Sequence, residues 1–118
     1  MYYIEEVYDE KFEGKVWNIT LTRADTLFIE FPLFDDDDEP YTPVEGDSLR
    51  FAMKKKYKDE EPLILIDIPT NTCLLEIRPE HTKPLPFGDY YYDVEFTDSM
   101  DHVSTILKGT FTVDKEVH

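Results

Sequence analysis

Between Phe87 and Val113 the chain alternates apolar and polar residues in two successive runs, and this pair constrains the fold more than any other feature. In the first run, Phe87-Gly88-Asp89-Tyr90-Tyr91-Tyr92-Asp93-Val94-Glu95-Phe96, the residues Tyr90, Tyr92, Val94 and Phe96 share one face. Tyr91, Asp93, Glu95 and Thr97 share the other. A polar stretch, Thr97 to Asp101, leads into the second run, Val103 to Val113. Successive side chains of a strand point to opposite faces of its sheet, so a two-residue period is the mark of a half-buried strand. Two such runs around a short polar turn predict a hairpin.

The rest of the chain repeats the pattern. Trp17, Ile19 and Leu21 alternate with Asn18, Thr20 and Thr22, and Leu27, Ile29, Phe31 and Leu33 follow. The short Arg23-Ala24-Asp25 step between them predicts a tight hairpin turn. A long polar loop runs from Asp35 to Asp47 and precedes Leu49, Phe51 and Met53, which alternate with Arg50 and Lys54. Leu63 to Ile68 is apolar on both faces, which predicts a central, buried strand. Cys73 to Arg78 follows the Thr70-Asn71-Thr72 turn. Helical spacing is met only at Pro79 to Lys83, one turn closed by Pro84. Strand signals about ten residues apart, broken by Pro, Gly, Asn and Asp, predict seven or eight strands in an all-β sandwich or small barrel. The predicted core is Trp17, Ile19, Leu27, Ile29, Phe31, Phe51, Leu65, Leu75, Ile77, Tyr90, Tyr92, Val94 and Phe111. Residues 1–15 read as an N-terminal arm or edge strand, 16–114 as the β domain, and 115–118 as a fraying end.

At 118 residues the chain has the length of one domain. Its single cysteine, Cys73, permits no intrachain disulfide. No apolar run approaches a membrane span, and the first residues lack a basic segment and an apolar core, so synthesis in the cytoplasm without a signal peptide is expected. The net charge is −15, from 27 acidic and 12 basic residues. Nucleic acid is therefore not an expected partner, because binding a phosphate backbone draws on Lys and Arg. Such acidity ordinarily serves solubility; its sharper reading is a surface that docks on a basic partner.

Asp35-Asp36-Asp37-Asp38-Glu39 is the densest local charge. Calcium takes oxygen ligands, but counting from Asp35 puts Pro40 and Gly46 where an EF-hand loop needs Gly and Glu. The stretch reads as a solvated loop, and no metal or other cofactor is expected. Lys54-Lys55-Lys56-Tyr57-Lys58 abuts Asp59-Glu60-Glu61. Its lysines read as a guard against edge pairing or as the contact that meets the acidic loop of another copy. Tyr91, facing outward, joins Tyr2, Tyr3, Tyr8, Tyr41 and Tyr57 as material for a sugar- or protein-binding platform. His81, His102 and His118 lack metal-ligand spacing, and no phosphate loop or nucleophile elbow occurs among the glycines, so no catalytic residue is assigned. The candidate interaction surface is Lys54, Lys55, Lys56, Asp35, Asp36, Asp37, Asp38 and Tyr91.

Four segments carry a resemblance: Ile19-Thr20-Leu21-Thr22-Arg23-Ala24-Asp25-Thr26, Gly46-Asp47 before Arg50-Phe51-Ala52, Gly88 to Val94, and Lys108 to Val113. Together they resemble small tailed-phage and prophage structural proteins of Gram-positive bacteria, in particular the immunoglobulin-like N-terminal domain of baseplate upper proteins. The likeness runs from Trp17 to Val113. It implies an immunoglobulin-like sandwich and a non-catalytic tail or baseplate module that docks on other virion proteins or on copies of itself. Ala24 departs from the pattern, which has Gly at that turn. No shaft or helical extension follows the domain, so the resemblance implies a stand-alone, virion-associated module. The alternative reading is a small carbohydrate- or cell-surface-binding module that uses the outward tyrosines.

Overall fold

A computed structural model describes residues 2–10 and 14–115; the expected fraying of the C-terminal end therefore lies largely outside the described residues. Eight strands and one helical turn follow in the order β1 (Tyr2–Asp9), β2 (Gly14–Thr22), β3 (Leu27–Glu30), β4 (Ser48–Lys54), β5 (Ile64–Ile68), β6 (Leu74–Ile77), α1 (Pro79–Thr82), β7 (Gly88–Thr97) and β8 (Val103–Asp114). The all-β expectation holds. The strands form a six-stranded sheet ordered β1-β2-β8-β7-β4-β5 and a two-stranded sheet, β3-β6. All neighbours are antiparallel except β2 and β8, which run parallel.

One core is shared by both sheets. Leu27, Ile29, Leu75 and Ile77 of the small sheet join Ile19, Leu21, Phe51, Met53, Tyr90, Tyr92, Val94, Phe111 and Val113 of the large one. The alternation of β4 and β7 explains the selection: Leu49, Phe51 and Met53 are buried while Arg50, Ala52 and Lys54 are not, and the phase of β7 is as the sequence predicts. Two buried tyrosines satisfy their hydroxyls on backbone carbonyls. Tyr90 donates to Pro86 and Tyr92 to Trp17, both at 2.6 Å. Without those partners the buried hydroxyls would cost free energy.

Four sequence expectations are corrected. Leu63 to Ile68 does not form a central strand: β5 is the outer strand of its sheet, and Leu65, expected in the core, is 54% exposed. Apolar residues on both faces of a short run mean either two buried faces or one buried face and a greasy edge, and here the second holds. Trp17 is half-buried and packs against the core rather than inside it. The 23–25 step is not a hairpin turn, because β2 and β3 lie in different sheets. Ala24 adopts φ 70°, and its amide donates to the buried Thr82 hydroxyl at 2.9 Å, so the step is pinned to α1 rather than to a neighbouring strand. Finally, the lysines do not guard an edge: Lys54 sits on β4, which has neighbours on both sides, and Lys55 and Lys56 lie in the turn beyond it.

Two irregularities shape the surface. Opposite Val94 and Glu95 the β7–β8 register shifts, pairing Val94 with Leu107 but Glu95 with Thr105, so that Ile106 is an extra residue in a bulge. The β2–β8 ladder covers only Ile19–Thr22 against Phe111–Asp114. Just before it the backbone amide of Thr110 is met by the side-chain oxygen of Asn18 at 3.0 Å, in place of a backbone carbonyl. Among the described residues, no strand pairs with Val103–Leu107 on the side away from β7.

Candidate functional site

Both notable concavities depend on the bulge. In an unbroken strand Thr105 and Lys108 would face opposite ways, since they are three positions apart. The extra Ile106 restores the phase, so Thr105 stands across from Glu95 and Lys108 across from Asp93, both on the outward face of the large sheet. Ser104 and Ile106 instead line a groove on the other side.

The outward recess has a volume of about 280 Å³ and is lined by Ala52, Lys54, Tyr57, Tyr91, Tyr92, Asp93, Thr105 and Lys108. Neighbouring registers assemble it: Asp93 lies between Ala52 on β4 and Lys108 on β8, and Lys54 is opposite Tyr91. Tyr57, from the turn after β4, meets Tyr91 edge to face with ring centroids 6.1 Å apart. Burial, seconded by the Glu95 charge, raises the pKa of Asp93, while Lys54 and Lys108 on either side pull it back down. The small side chain of Ala52 leaves the floor open.

The groove is larger, about 630 Å³, and runs between the chain leaving β3 and the β7–β8 hairpin. Leu33, Phe34, Tyr41, Phe96 and Ile106 supply its apolar lining; Asp35, Asp36, Asp98 and His102 supply its polar rim. Phe34 is 60% exposed along this groove. Its walls are held in place locally. The Asp35 carboxylate accepts from the amides of Asp37 and Glu39, so the acidic loop is closed on its own backbone. Tyr41 stacks edge to face on Phe96 and donates to Asp47 at 2.6 Å, a bond that raises the tyrosine pKa. At the hairpin tip, Asp98 accepts from the amides of His102 and Met100 and pairs with the His102 ring at 3.1 Å. These contacts lower the Asp98 pKa, with the His102 amide the largest cause.

The predicted surface residues are therefore divided. Lys54 and Tyr91 meet in the recess, and Asp35 and Asp36 meet Asp98 at the groove. Asp37 and Asp38 are exposed in the acidic loop without lining either concavity. Lys55 folds back onto the protein, 4.6 Å over the Tyr90 ring and donating to the Asp89 carbonyl at 3.3 Å. Lys56 is exposed, and its amide donates to Asp59 in the turn. The lysines and the acidic loop thus line separate features. Sequence reasoning missed Asp93, Thr105 and Lys108 in the recess, and Phe34, Phe96 and Ile106 in the groove. The adjacent apolar pair Ile106-Leu107, which breaks the two-residue alternation, is the one signal that pointed to the bulge.

Among the described residues no group of three or more His, Cys, Asp or Glu side chains is placed to hold a metal ion. No helix among them is long and apolar enough to cross a membrane. No protein-family model matches the chain, and a search of curated proteins returns no match.

Proposed function

We propose that the chain is a non-catalytic, immunoglobulin-like docking module of a phage or prophage tail or baseplate, which binds partner proteins by strand addition. Two features support the immunoglobulin-like reading. Strands β2-β8-β7-β4-β5 stand on one side of the core and β3-β6 on the other, an order in keeping with that fold. The Tyr90 hydroxyl bonds the Pro86 carbonyl just before β7, in the manner of the tyrosine corner of such domains. The virion assignment rests on the strand-and-turn resemblance alone, and sedimentation of the protein with assembled particles would test it.

The observation that carries the docking reading is that, among the described residues, no strand pairs with Val103–Leu107 on the side away from β7, beside the groove. A free flank offers backbone donors and acceptors to an incoming strand, and alternate side chains of that strand would fall into the groove. The aspartates on the rim and the charge of −15 favour a basic segment.

A fluorescent peptide of alternating lysine and valine is a suitable probe, read by anisotropy. Replacing its central valine by proline removes a backbone donor and should weaken binding about tenfold, the equivalent of one or two hydrogen bonds. Ile106→Lys in the protein should abolish the preference between the two peptides. Equal binding of both peptides would mean that charge alone attracts them, and would overturn the docking reading.

A further inference from the structure

The outward recess is not used by the docking reading, and its chemistry is specific enough to name a ligand class. We propose that the recess formed by Ala52, Lys54, Tyr57, Tyr91, Asp93 and Lys108 is a binding site for a single pyranose sugar.

The lining offers what a sugar ring requires. A pyranose presents hydroxyls that both donate and accept, on a ring whose C–H faces are apolar. Asp93 supplies a carboxylate acceptor, Lys54 supplies a donor, and Thr105 supplies a hydroxyl capable of both. Lys108 is held across the ladder from Asp93 and adds a second ammonium group. Tyr57 and Tyr91, set edge to face at 6.1 Å, form an apolar corner against which ring C–H groups can rest. Tyr57 is 64% exposed, so it costs little to cover. The volume, about 280 Å³, suits one ring rather than an oligosaccharide.

The elements holding the site differ in rigidity. Lys54, Tyr91, Asp93 and Lys108 stand on three adjacent paired strands, so their spacing is fixed by the ladder. Tyr57 comes from a turn and can adjust over a bound ring. The carboxylate between two ammonium groups, partly withdrawn from water, resembles the few placed polar groups that give small-molecule sites their orientation.

Saturation-transfer difference NMR on the full chain tests the inference, with glucose, galactose, N-acetylglucosamine and rhamnose as probes at millimolar concentration. Transfer to ring protons of at least one sugar is expected. Ala52→Leu, which fills the floor from an outward position, should abolish the transfer; Tyr57→Ala, in an exposed turn, should reduce it severalfold. Phe34→Ala, which acts on the groove alone, should leave it unchanged, so that failure of the docking reading and failure of this one are separable. Amide spectra that match the wild type would show each variant folded. Absence of transfer from all four sugars, or equal transfer in the wild type and Tyr57→Ala, overturns the inference.

Discussion

The hydroxyl of Tyr92 donates to the carbonyl of Trp17 at 2.6 Å, joining positions 75 residues apart. The bond falls just before β2 begins its short parallel ladder with β8, and it ties the Trp17 carbonyl to β7. Burial raises the Tyr92 pKa well above the usual phenol range, so the hydroxyl is a donor at neutral pH. Tyr92→Phe should cost about 1–3 kcal/mol, the desolvation penalty of the carbonyl left behind. Urea unfolding of the two proteins measures the difference, and a change below a few tenths of a kcal/mol would contradict this role.

Gly109 lies beneath the same crossing. A Cβ added there would collide with the Trp17 carbonyl oxygen, a backbone atom that cannot rotate away. Gly109→Ala should therefore destabilise by at least the roughly 1–3 kcal/mol of ordinary overpacking. It should also lower hydrogen-exchange protection in Ile19–Thr22 before it affects β4 and β5.

Ala24 holds φ 70°, a left-handed conformation that costs a residue with a Cβ about 1–2 kcal/mol. Ala24→Gly removes that cost and loses part of the gain to a more flexible unfolded chain. A net stabilisation of about 0.5–1 kcal/mol is expected. Thermal melting would show it as a higher midpoint, whereas a lower midpoint would mean that the bond from Ala24 to Thr82 does not survive the change.

Two aspartates should tilt the acid limb of stability in opposite directions. Asp98 has its pKa lowered on folding by the amides of His102 and Met100. Its contribution is present above the ordinary value of 3.8 and is lost as pH falls through the lower folded value. Asp93 has its pKa raised by burial and by Glu95, so the folded state holds that proton more tightly. Its contribution is present below 3.8 and is lost as pH rises through the folded value. Asp98→Asn should flatten the acid loss of stability, and Asp93→Asn should remove the decline on the upper side. Carboxyl NMR titration gives the two directions independently.

Much of this arrangement was legible in the alternating residues. Tyr90, Tyr92 and Val94 face inward and Tyr91 outward because a strand in a two-faced sheet has no other way to place them. The order of strands was not legible, since Leu63 to Ile68 satisfies the chemistry of a central strand and of an edge equally well. The passage from β2 to β3 was hidden for another reason: the partner of Ala24 is Thr82, 58 residues away, and no local pattern encodes it. The recess escaped detection because a bulge resets the phase. Thr105, Lys108 and Asp93 converge only after Ile106 is counted as extra.

The position of β8 in the sheet also governs when the fold can close. It lies between β2 and β7, yet it is the last strand in chain order. During synthesis the β1–β2 hairpin and the β4, β5 and β7 strands emerge as two separate half-sheets, each with an open flank. Only the arrival of Val103–Asp114 joins them, through contacts such as Ile19 with Phe111 that span most of the chain. Long-range closure of this kind is slow. A ribosome-bound chain halted before Val103 should therefore expose unpaired strand flanks to chaperones, while release of the final strand should convert it to a protease-resistant form in a single step.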